Sequence, residues 1–538
     1  MTKKHQPLDN PFIECLIEFL NDRLKDKDGN LFSTLKTKHQ QSLAELILQS
    51  FSESRYKMHK NSFNGYSIVI SSTDKRQLFS REKTFNDLNS KFDIFELVHG
   101  YSFSYGEQEG VSNGYKLTAK MKLLEEQFFN MLLNDEIQPK SFQYKKLRTP
   151  VVSLSRRNGK NVKTKQTHKN SSLCNLVGIS SEMLSQLAST AHEALQSEPE
   201  RHRISSEFQT QFDDWTGRIE ELNFKLNTLN KTASDYKSQK DSITSELERY
   251  TARIRRIRNN AILMSKMGSK HGDSSCIQIS YNESASGRLF ATKFNPNPQG
   301  VPREVRKAAF YGHYDIDIEN CHYALLWNEA KQCGLELEYV KLYLDNKKQI
   351  REQLVAYTGL PVDIVKEGLL AIIYGCSGKP YYRYNGELLK TTLLKDMGES
   401  GFELFFEHPF VLKLLEERDI AQQTIIKRYV AEHQTKNGHI NNKYGTTKSI
   451  KGAVCKNGSI HKNHVKSLLS HILQGAERAI LDVMIECLDG TKIALLQHDG
   501  LTYRECVSRD ELDKIESTIL ERTGYEIQIG DAELLSFA

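Results

Sequence analysis

Two short strand-like segments, far apart in the chain, each carry aspartate where an apolar run ends. The first is Tyr314–Ile318 (YDIDI), which is followed by a helix-like segment, ENCHYALLWNEA. The second is Lys492–Tyr503 (KIALLQHDGLTY), in which His498, Asp499 and Gly500 form a predicted tight turn between two strands. A hairpin turn that exposes one aspartate beside another strand-end aspartate lets two carboxylates bridge a pair of divalent ions. Taken alone, the second segment is more often a plain turn, because Asp-Gly is a favoured turn pair.

Between these two segments lies a helix-like stretch, Leu360–Gly375 (LPVDIVKEGLLAIIYG), with a proline at its predicted start. Lys366 and Tyr374 are slightly more than two helical turns apart, so both project from one side of the helix. A lysine in this position can bind a triphosphate while the aromatic ring packs against a base. Taken alone, the stretch is also typical of an ordinary amphipathic helix whose lysine faces solvent.

The composition excludes several classes of protein. The chain has 538 residues, enough for two to four domains, and 38% of them are hydrophobic. No apolar run reaches the length of about 18 residues that a membrane span needs, and the first residues lack the apolar region of a signal peptide. The nine cysteines are scattered without a C-x-x-C pair. This pattern favours reduced thiols in a cytoplasmic, intracellular protein over a disulfide framework or a zinc site.

Basic residues are concentrated in two places, although the net charge is only +6. Ser155–Asn170 (SRRNGKNVKTKQTHKN) carries six Lys or Arg and no acid, and Arg253–Arg258 (RIRRIR) lies on a predicted helix. Each run alone is equally typical of a solvated loop or helix face. Together they favour phosphate contacts and therefore a nucleic-acid partner.

The chain divides into three parts by its local patterns. Residues 1–150 mix predicted helices (Pro11–Leu24, Leu43–Phe51, Lys120–Leu133) with short strands such as Tyr66–Ser71. Residues 178–266 have apolar positions at helical spacing, which predicts a helical hairpin with its turn at Asn230–Ser234. A coiled-coil dimerisation element is the alternative interpretation of this hairpin. From about Cys276, strand-like and helix-like segments alternate, which predicts an α+β core with helices on a mostly antiparallel sheet.

The order of the motifs in the C-terminal half resembles that of the family A DNA polymerases. Ser286–Phe310 (SGRLFATKFNPNPQGVPREVRKAAF), followed by YDIDIENCHYALL, is similar to the segment that leads into that family's first catalytic strand. Lys366 and Tyr374–Gly375 match its K-x7-Y-G helix. Gly438–Met484 resembles its G-Y-V-x-T-x-x-G-R…Q-G-T-A-A-D-x-x-K-x-A-M segment, with Gly445, Gln474, Gly475 and Ala476 in place, and HDG resembles its H-D-E. Residues 1–200 resemble no family, and 205–266 resemble only the general form of a helical thumb.

The resemblance implies an α+β right-hand polymerase, with an antiparallel-sheet palm, helical fingers and a helical thumb, plus a mixed, mainly helical N-terminal domain. The implied regions are an N-terminal domain of unknown role (1–150), a basic linker and helical connection (151–204), the thumb (205–275), the first palm part (276–345), the fingers (346–450) and the second palm part with the HDG hairpin (451–538).

The resemblance also implies a metal site. Asp317 and Asp499 would be the catalytic, metal-binding carboxylates, and the backbone carbonyl of Ile318 would join them in holding two Mg²⁺ ions, with Mn²⁺ as an alternative. Asp317 is preferred to Asp315 because the helix-forming ENCHYALL follows it at the family's spacing. Asp315 stays open as the alternative ligand.

Further roles follow for the substrates. Lys366 would hold the triphosphate of the incoming nucleotide and Tyr374 would stack near the templating base. His322 and Leu370 would line the same pocket. The residues that would contact the primer–template are Arg288 and Gln474 in the minor groove, His498 at the primer end, and Arg253, Arg255, Arg256 and Arg258 on the duplex backbone.

The chain departs from the family pattern at several positions. His322 stands where the family has Glu, and Gly500 replaces the last acid of H-D-E. Leu370 replaces an aromatic or similar residue. Val362 replaces an arginine, so triphosphate contacts would pass in part to other cations, such as Arg351 or Lys379.

The identity of the product is predicted from the gate position, five residues after the first aspartate. The bulk of His322 should exclude the ribose 2′-hydroxyl, which favours dNTPs and a DNA polymerase that acts on a DNA primer–template. The alternative is a single-subunit RNA polymerase or primer-synthesising enzyme. A second alternative is an inactive nucleic-acid-binding replication factor, although such a protein gains nothing from two carboxylates beside phosphates.

Two further expectations concern the N-terminal half. No Asp-x-Glu occurs in residues 1–270, so the sequence predicts no 3′–5′ exonuclease of the family type. The N-terminal domain is a candidate site for a replication protein partner. An architecture of this kind would suit a phage or plasmid.

Overall fold

The structure is a computed structural model. It describes residues 11–52, 68–71, 75, 78–79, 81–105, 108–140, 173–195, 206–232, 235–271, 274–291, 298–376, 378–384, 387–435, 437–455 and 459–537. The basic segment Ser155–Asn170 lies outside these residues. No helix in the described ranges is long and apolar enough to cross a membrane.

The N-terminal part combines helices with a small sheet. Its elements are α1 (Pro11–Arg23), α2 (Thr37–Ser52), β1 (Ile68–Ser71), α3 (Glu82–Phe92), β2 (Phe95–Tyr105), β3 (Gln108–Leu117) and α4 (Ala119–Leu133). The strands pair antiparallel in the order β1-β3-β2. Phenylalanines fill the core, for example Phe128, whose ring lies 5.3 Å from that of Phe19 and 5.5 Å from that of Phe129. The three predicted N-terminal helices are confirmed. Most of their ends lie within a few residues of the predicted ends.

Long helices and a second sheet follow. These elements are β4 (Leu173–Ile179), α5 (Ser181–Leu195), α6 (Ser206–Thr228), α7 (Tyr236–Met267), β5 (Ser269–His271), β6 (Ser274–Glu283) and β7 (Leu289–Ala291). The strand order is β4-β6-β5, with β7 paired to β6. Helices α6 and α7 form the predicted helical hairpin, and the ion pair of Arg218 with Glu246 (2.9 Å) joins them.

The C-terminal part begins with α8 (Arg303–Ala309), β8 (Tyr314–Asp317), α9 (Cys321–Gln332), α10 (Glu338–Thr358) and α11 (Val362–Ile373). A β-hairpin and two helices come next: β9 (Tyr381–Tyr384), β10 (Glu387–Lys390), α12 (Thr392–Glu407) and α13 (Pro409–His433). The chain ends with β11 (His439–Asn441), β12 (Thr447–Ser449), α14 (Lys462–Cys487), β13 (Ile493–Leu496), β14 (Gly500–Tyr503), α15 (Arg509–Thr523) and β15 (Glu533–Leu534).

The central sheet of this part has the order β13-β14-β8-β15, and all its pairs are antiparallel. Strands β13 and β14 are buried along their whole length, which explains their nearly continuous apolar sequence. The chain is therefore a mostly helical α+β protein with small antiparallel sheets. The division into palm, fingers and thumb remains a prediction.

Local sequence explains the ends of the helices that flank the central sheet. Helix α10 stops at Gly359, whose φ of 69° is in the left-handed region that glycine adopts without strain. Pro361 then caps the start of α11. Ser508 and Glu511 form a capping box at the start of α15, each satisfying a backbone N–H of the other.

The N-terminal part is anchored to the C-terminal half of α7. Glu126 of α4 accepts hydrogen bonds from Arg255 (2.8 Å) and from Arg258 (2.5 Å). Asn259 donates to Glu125 Oε1 (2.7 Å). Because these groups are buried or half-buried, they form a polar interface between α4 and α7 inside the protein.

Candidate active site

The pairing of β8 with β14 brings the two predicted carboxylates to the same edge of the sheet. Asp317 lies directly opposite Gly500 in the antiparallel register. Asp499 comes just before that glycine, and its carbonyl oxygen accepts a hydrogen bond from the N–H of Ile318 (2.9 Å). The ends of two strands that are remote in sequence therefore meet, each with one aspartate.

The two carboxylates influence each other electrostatically. Surrounding protein and the negative charges of Asp499 and Asp315 raise the pKa of Asp317 to about 7. The Asp317 side chain remains accessible to solvent. The ionised form of Asp317 is therefore unfavourable in this surrounding unless a cation lies nearby.

The alternative ligand, Asp315, is already engaged by protein groups. Its Oδ1 accepts a hydrogen bond from the hydroxyl of Thr502 (2.5 Å) and one from Gln497 (3.4 Å). Asp317 has no such side-chain donor among the hydrogen bonds that the structure records. The contacts therefore favour Asp317 over Asp315 as a metal ligand.

These groups fit a pair of Mg²⁺ ions only if substrate and water supply further ligands. The described residues contain no group of three or more His, Cys, Asp or Glu side chains that could hold a metal ion. Two carboxylates and a backbone carbonyl, such as that of Ile318, are nevertheless typical for Mg²⁺, which keeps several waters and binds substrate phosphates. The mutual repulsion of Asp317 and Asp499 is the feature that a cation would relieve.

Gly500 is required by the packing of Asp317. A Cβ on Gly500 would overlap Oδ1 of Asp317 and the carbonyl oxygen of Ile316, and it would lie 2.9 Å from Cα of Asp317. Two of these three atoms belong to the backbone and cannot rotate away. The turn therefore needs glycine at this position, which explains the departure from H-D-E in physical terms.

One face of α11 presents the predicted nucleotide-binding residues. Lys366, Leu370 and Tyr374 follow each other at intervals of four, and their exposures are 46% (side chain), 47% and 41%. The Lys366 ammonium lies 3.4 Å from a carboxylate oxygen of Asp363. The ring of Tyr374 lies 5.1 Å from the ring of His322, so this face meets the helix that follows β8.

Arg288 joins His322 to a buried carboxylate that the sequence interpretation did not single out. Its Nε and Nη2 donate to Oε2 of Glu477 (3.1 and 2.5 Å), and Nη2 is 2.9 Å from Nε2 of His322. Arg288 also interacts with the hydroxyl of Tyr374. Burial lowers the pKa of His322 to about 3, and it raises that of Glu477 to about 8 against the effect of Arg288.

The other predicted primer–template residues lie at the borders of this cluster. Gln474 precedes Glu477 by three residues on α14, so the two share one face of that helix. The ring of His498 packs edge-on against Phe290 at 4.8 Å between centroids. Arg288 contacts Glu477 of α14, and His498 directly precedes Asp499 in the chain.

The four arginines of α7 contact protein groups, which differs from the predicted contacts with the duplex backbone. Arg255 and Arg258 bind Glu126 of α4, and Arg258 is fully buried. Arg253 forms an ion pair with Glu304 (3.1 Å), and Arg256 donates to the carbonyl of Gly300 (3.3 Å). Arg258 has no exposed surface with which to reach a phosphate, so the prediction for this residue requires correction.

Two basic residues of α10 contact the loop that follows β8. Lys347 forms an ion pair with Glu319. Arg351 donates to Oδ1 of Asn320 (3.3 Å) and to the hydroxyl of Tyr343 (2.6 Å). Positive charge is therefore placed within a few residues of Asp317, on a helix other than α11.

Glu477 could have been found from its sequence context. It lies in α14 at helical spacing from the buried Leu473, Ile480 and Met484. A glutamate within an apolar stripe requires a buried partner, because an unpaired charge is costly there. The sequence could not indicate that this partner is Arg288.

Comparison with solved structures gives distant likenesses. No protein-family model and no curated protein matches the sequence. The structure is similar to that of the POL domain of Pol1 from M. smegmatis, solved in complex with DNA primer-template and dNTP. That protein is a family A DNA polymerase, the family that the sequence motifs resemble. The identity is 17%, the match covers 67% of each chain, and the TM-score is 0.37. At this level the likeness carries no argument about function.

Proposed function

We propose that this protein is a template-directed nucleotidyltransferase that extends DNA primers with dNTPs. The observation that carries the proposal is the register of β8 and β14, which brings Asp317 and Asp499 together at one sheet edge. The face of α11 with Lys366 and Tyr374 meets the same region through His322. A pair of carboxylates beside a lysine and an exposed aromatic ring suits a nucleoside triphosphate better than any other substrate class.

The chemistry follows from the roles of these groups. Asp317, Asp499 and the carbonyl of Ile318 would hold two Mg²⁺ ions, or Mn²⁺ ions. When bound, these ions activate the primer hydroxyl and neutralise the charge of the leaving pyrophosphate. Gly500 keeps the carboxylate of Asp317 against the turn, so that both aspartates stay at the same edge.

The nucleotide pocket would lie between α11 and the start of α9. Lys366 would bind the triphosphate, and Arg351 and Lys347 would supplement it, since Val362 supplies no charge. Leu370 and Tyr374 would pack against the base and the sugar. The ring of His322 would occupy the space that a ribose 2′-hydroxyl needs.

The duplex would lie along the α6–α7 hairpin, which would serve as the thumb. Arg288, Gln474 and His498 would line its minor groove and primer end. Arg253, whose side chain is 54% exposed, remains a candidate for a phosphate contact. A family-type 3′–5′ exonuclease is not part of the proposal.

Primer extension tests the proposal directly. A labelled primer–template is incubated with Mg²⁺ and either dNTPs or NTPs, for the wild type, Asp499→Asn and His322→Gly. We expect extension with dNTPs by the wild type, its loss in Asp499→Asn, and new use of NTPs by His322→Gly. Asp531→Asn serves as the matched control, because this side chain is 89% exposed and the proposal gives it no part in binding metal or nucleotide.

Each outcome discriminates between functions. Extension by Asp499→Asn at the rate of the wild type would refute the metal role of this residue. Product from NTPs with the wild type, especially without a primer, would identify an RNA polymerase or primer-synthesising enzyme. Binding of the primer–template without synthesis under any condition would indicate an inactive replication factor. Shortening of the primer would contradict the predicted absence of an exonuclease.

A further inference from the structure

Glu477 of α14 is a fully buried carboxylate beside the candidate active site, and the proposed reaction gives it no role. Its Oε2 accepts two hydrogen bonds from the guanidinium of Arg288. Its Oε1 is buried and has no hydrogen-bond partner among the described residues. A buried polar atom without a hydrogen-bond partner costs free energy, and each such atom in a folded protein calls for an explanation.

His322 carries the complementary group. Its Nε2 is 2.9 Å from Nη2 of Arg288, and a guanidinium can only donate, so Nε2 is the acceptor. The neutral imidazole then carries its proton on Nδ1, which is buried without a partner in the described part of the chain. An unpartnered carboxyl oxygen on Glu477 and a free donor on His322 therefore flank Arg288.

The geometry ties this pair to the nucleotide-binding face. Nε2 of His322 is 3.6 Å from Oε2 of Glu477, and the ring of His322 is 5.1 Å from that of Tyr374. Arg288 contacts all three side chains. If Glu477 is removed, Arg288 loses its anchor, and the rings of His322 and Tyr374 lose the group that fixes their position.

We infer that Glu477 is a positioning residue which, through Arg288, holds His322 and Tyr374 against the sugar of the incoming nucleotide and so determines discrimination between dNTPs and NTPs. The inference rests on the proposed function. Under it, sugar selectivity depends on a carboxylate of α14 as well as on the bulk of His322.

The test compares single-nucleotide incorporation of dNTP and NTP by the wild type, Glu477→Gln and Glu477→Ala. We expect the ratio of kcat/KM for dNTP over NTP to fall about ten-fold in Glu477→Ala, which loses the hydrogen bonds to Arg288, and by less in Glu477→Gln, whose amide oxygen can still accept from Arg288. The change should appear mainly in KM, with kcat for dNTP retained within a few-fold. Glu486→Gln on the same helix is the matched control, because Glu486 pairs with Arg522 away from the site.

The remaining outcomes also decide the matter. A folded Glu477→Ala with the wild-type ratio would overturn the inference. If the Glu477 variants do not fold, Arg288→Lys decides, because lysine keeps the charge but loses the guanidinium fork, and an unchanged ratio would refute the role. If the wild type incorporates nothing, the proposed function fails, and calorimetric binding of dATP and ATP with Ca²⁺ then tests the inference alone. An equal dATP preference in the wild type and Glu477→Ala would overturn it.

Discussion

Replacing Gly500 by alanine is the smallest change that disturbs the proposed metal site. The added Cβ would overlap Oδ1 of Asp317 and the carbonyl oxygen of Ile316, and it would lie 2.9 Å from Cα of Asp317. The Asp317 carboxylate could rotate, but the two backbone atoms could not. Relief of the overlap therefore requires that β8 and β14 move apart or slide.

The size of the effect follows from this overlap. Non-bonded carbon atoms normally stay at least ~3.5 Å apart, so the strands must shift by roughly 1 Å at this point. Insertion of an extra methyl group into a packed site costs about 1–3 kcal/mol of unfolding free energy. A displacement of about 1 Å at a reacting centre lowers a rate on the order of 100-fold. We expect Gly500→Ala to remain folded but to lose about 99% of primer extension.

Two measurements on the same preparation separate the effects. Denaturant unfolding gives the stability change, and single-nucleotide incorporation gives kcat and KM. Gly178→Ala is the matched control, because Gly178 also lies in a strand but a Cβ there would meet nothing within 4 Å. This control should keep its activity, with its stability unchanged or slightly increased.

The reasoning fails if Gly500→Ala extends primers at the wild-type rate. That result would show that Asp317 tolerates displacement and is not held in place by the turn. A variant that is inactive because it is unfolded would not support the reasoning either, since the argument predicts a local shift in a folded protein.

Other predictions concern charge. Arg258→Met should lower the free energy of unfolding by about 2 kcal/mol, because it removes a buried hydrogen bond to Glu126. Arg303→Met removes an exposed ion pair with Glu533 and should change the free energy of unfolding by less than about 1 kcal/mol. Burial raises the pKa of Glu125 from 4.5 to about 7, so the folded protein disfavours the ionised form of this side chain. The free energy of unfolding should therefore fall by up to about 3 kcal/mol as the pH rises from 4.5 to 7. Urea unfolding at pH 5 and pH 8 measures this loss, and Glu125→Gln should abolish it. Because the pKa of Asp317 is raised to about 7, Mg²⁺ must displace a proton below that pH, and its calorimetric affinity should rise towards pH 7 and then level off.

The sequence predicts the central strands well because their signals are local. The apolar runs on either side of Asp499 and Gly500 predict the β13–β14 hairpin, and the structure has it. The strand that contains Asp317 and the helix after Pro361 are also found where their patterns place them. Burial along the strands and the φ preference of proline act over a few residues, so they can be recognised in the sequence itself.

The arginines of α7 show where such prediction stops. Helical geometry places Arg255 and Arg258 on one face and Arg253 and Arg256 on another, and this much follows from their spacing. Which face meets nucleic acid depends on what packs against α7. In the structure, Glu126 of α4 meets one face and the segment at 300–304 meets the other. A basic run therefore became an interface within the protein, and only the tertiary contacts reveal it.

The two departures from the polymerase pattern closest to the aspartates have one kind of explanation. Gly500 leaves space that the carboxylate of Asp317 occupies, and His322 lies beside a carboxylate that α14 supplies through Glu477. In each case, the side chain that contacts the residue from another strand or helix explains why that residue type occupies the position. A position that looks defective in a single motif is therefore better judged by the pair of side chains that meet there. Under the proposed function, His322 in place of Glu is therefore compatible with sugar selection, because Oε2 of Glu477 lies 3.6 Å from Nε2 of His322.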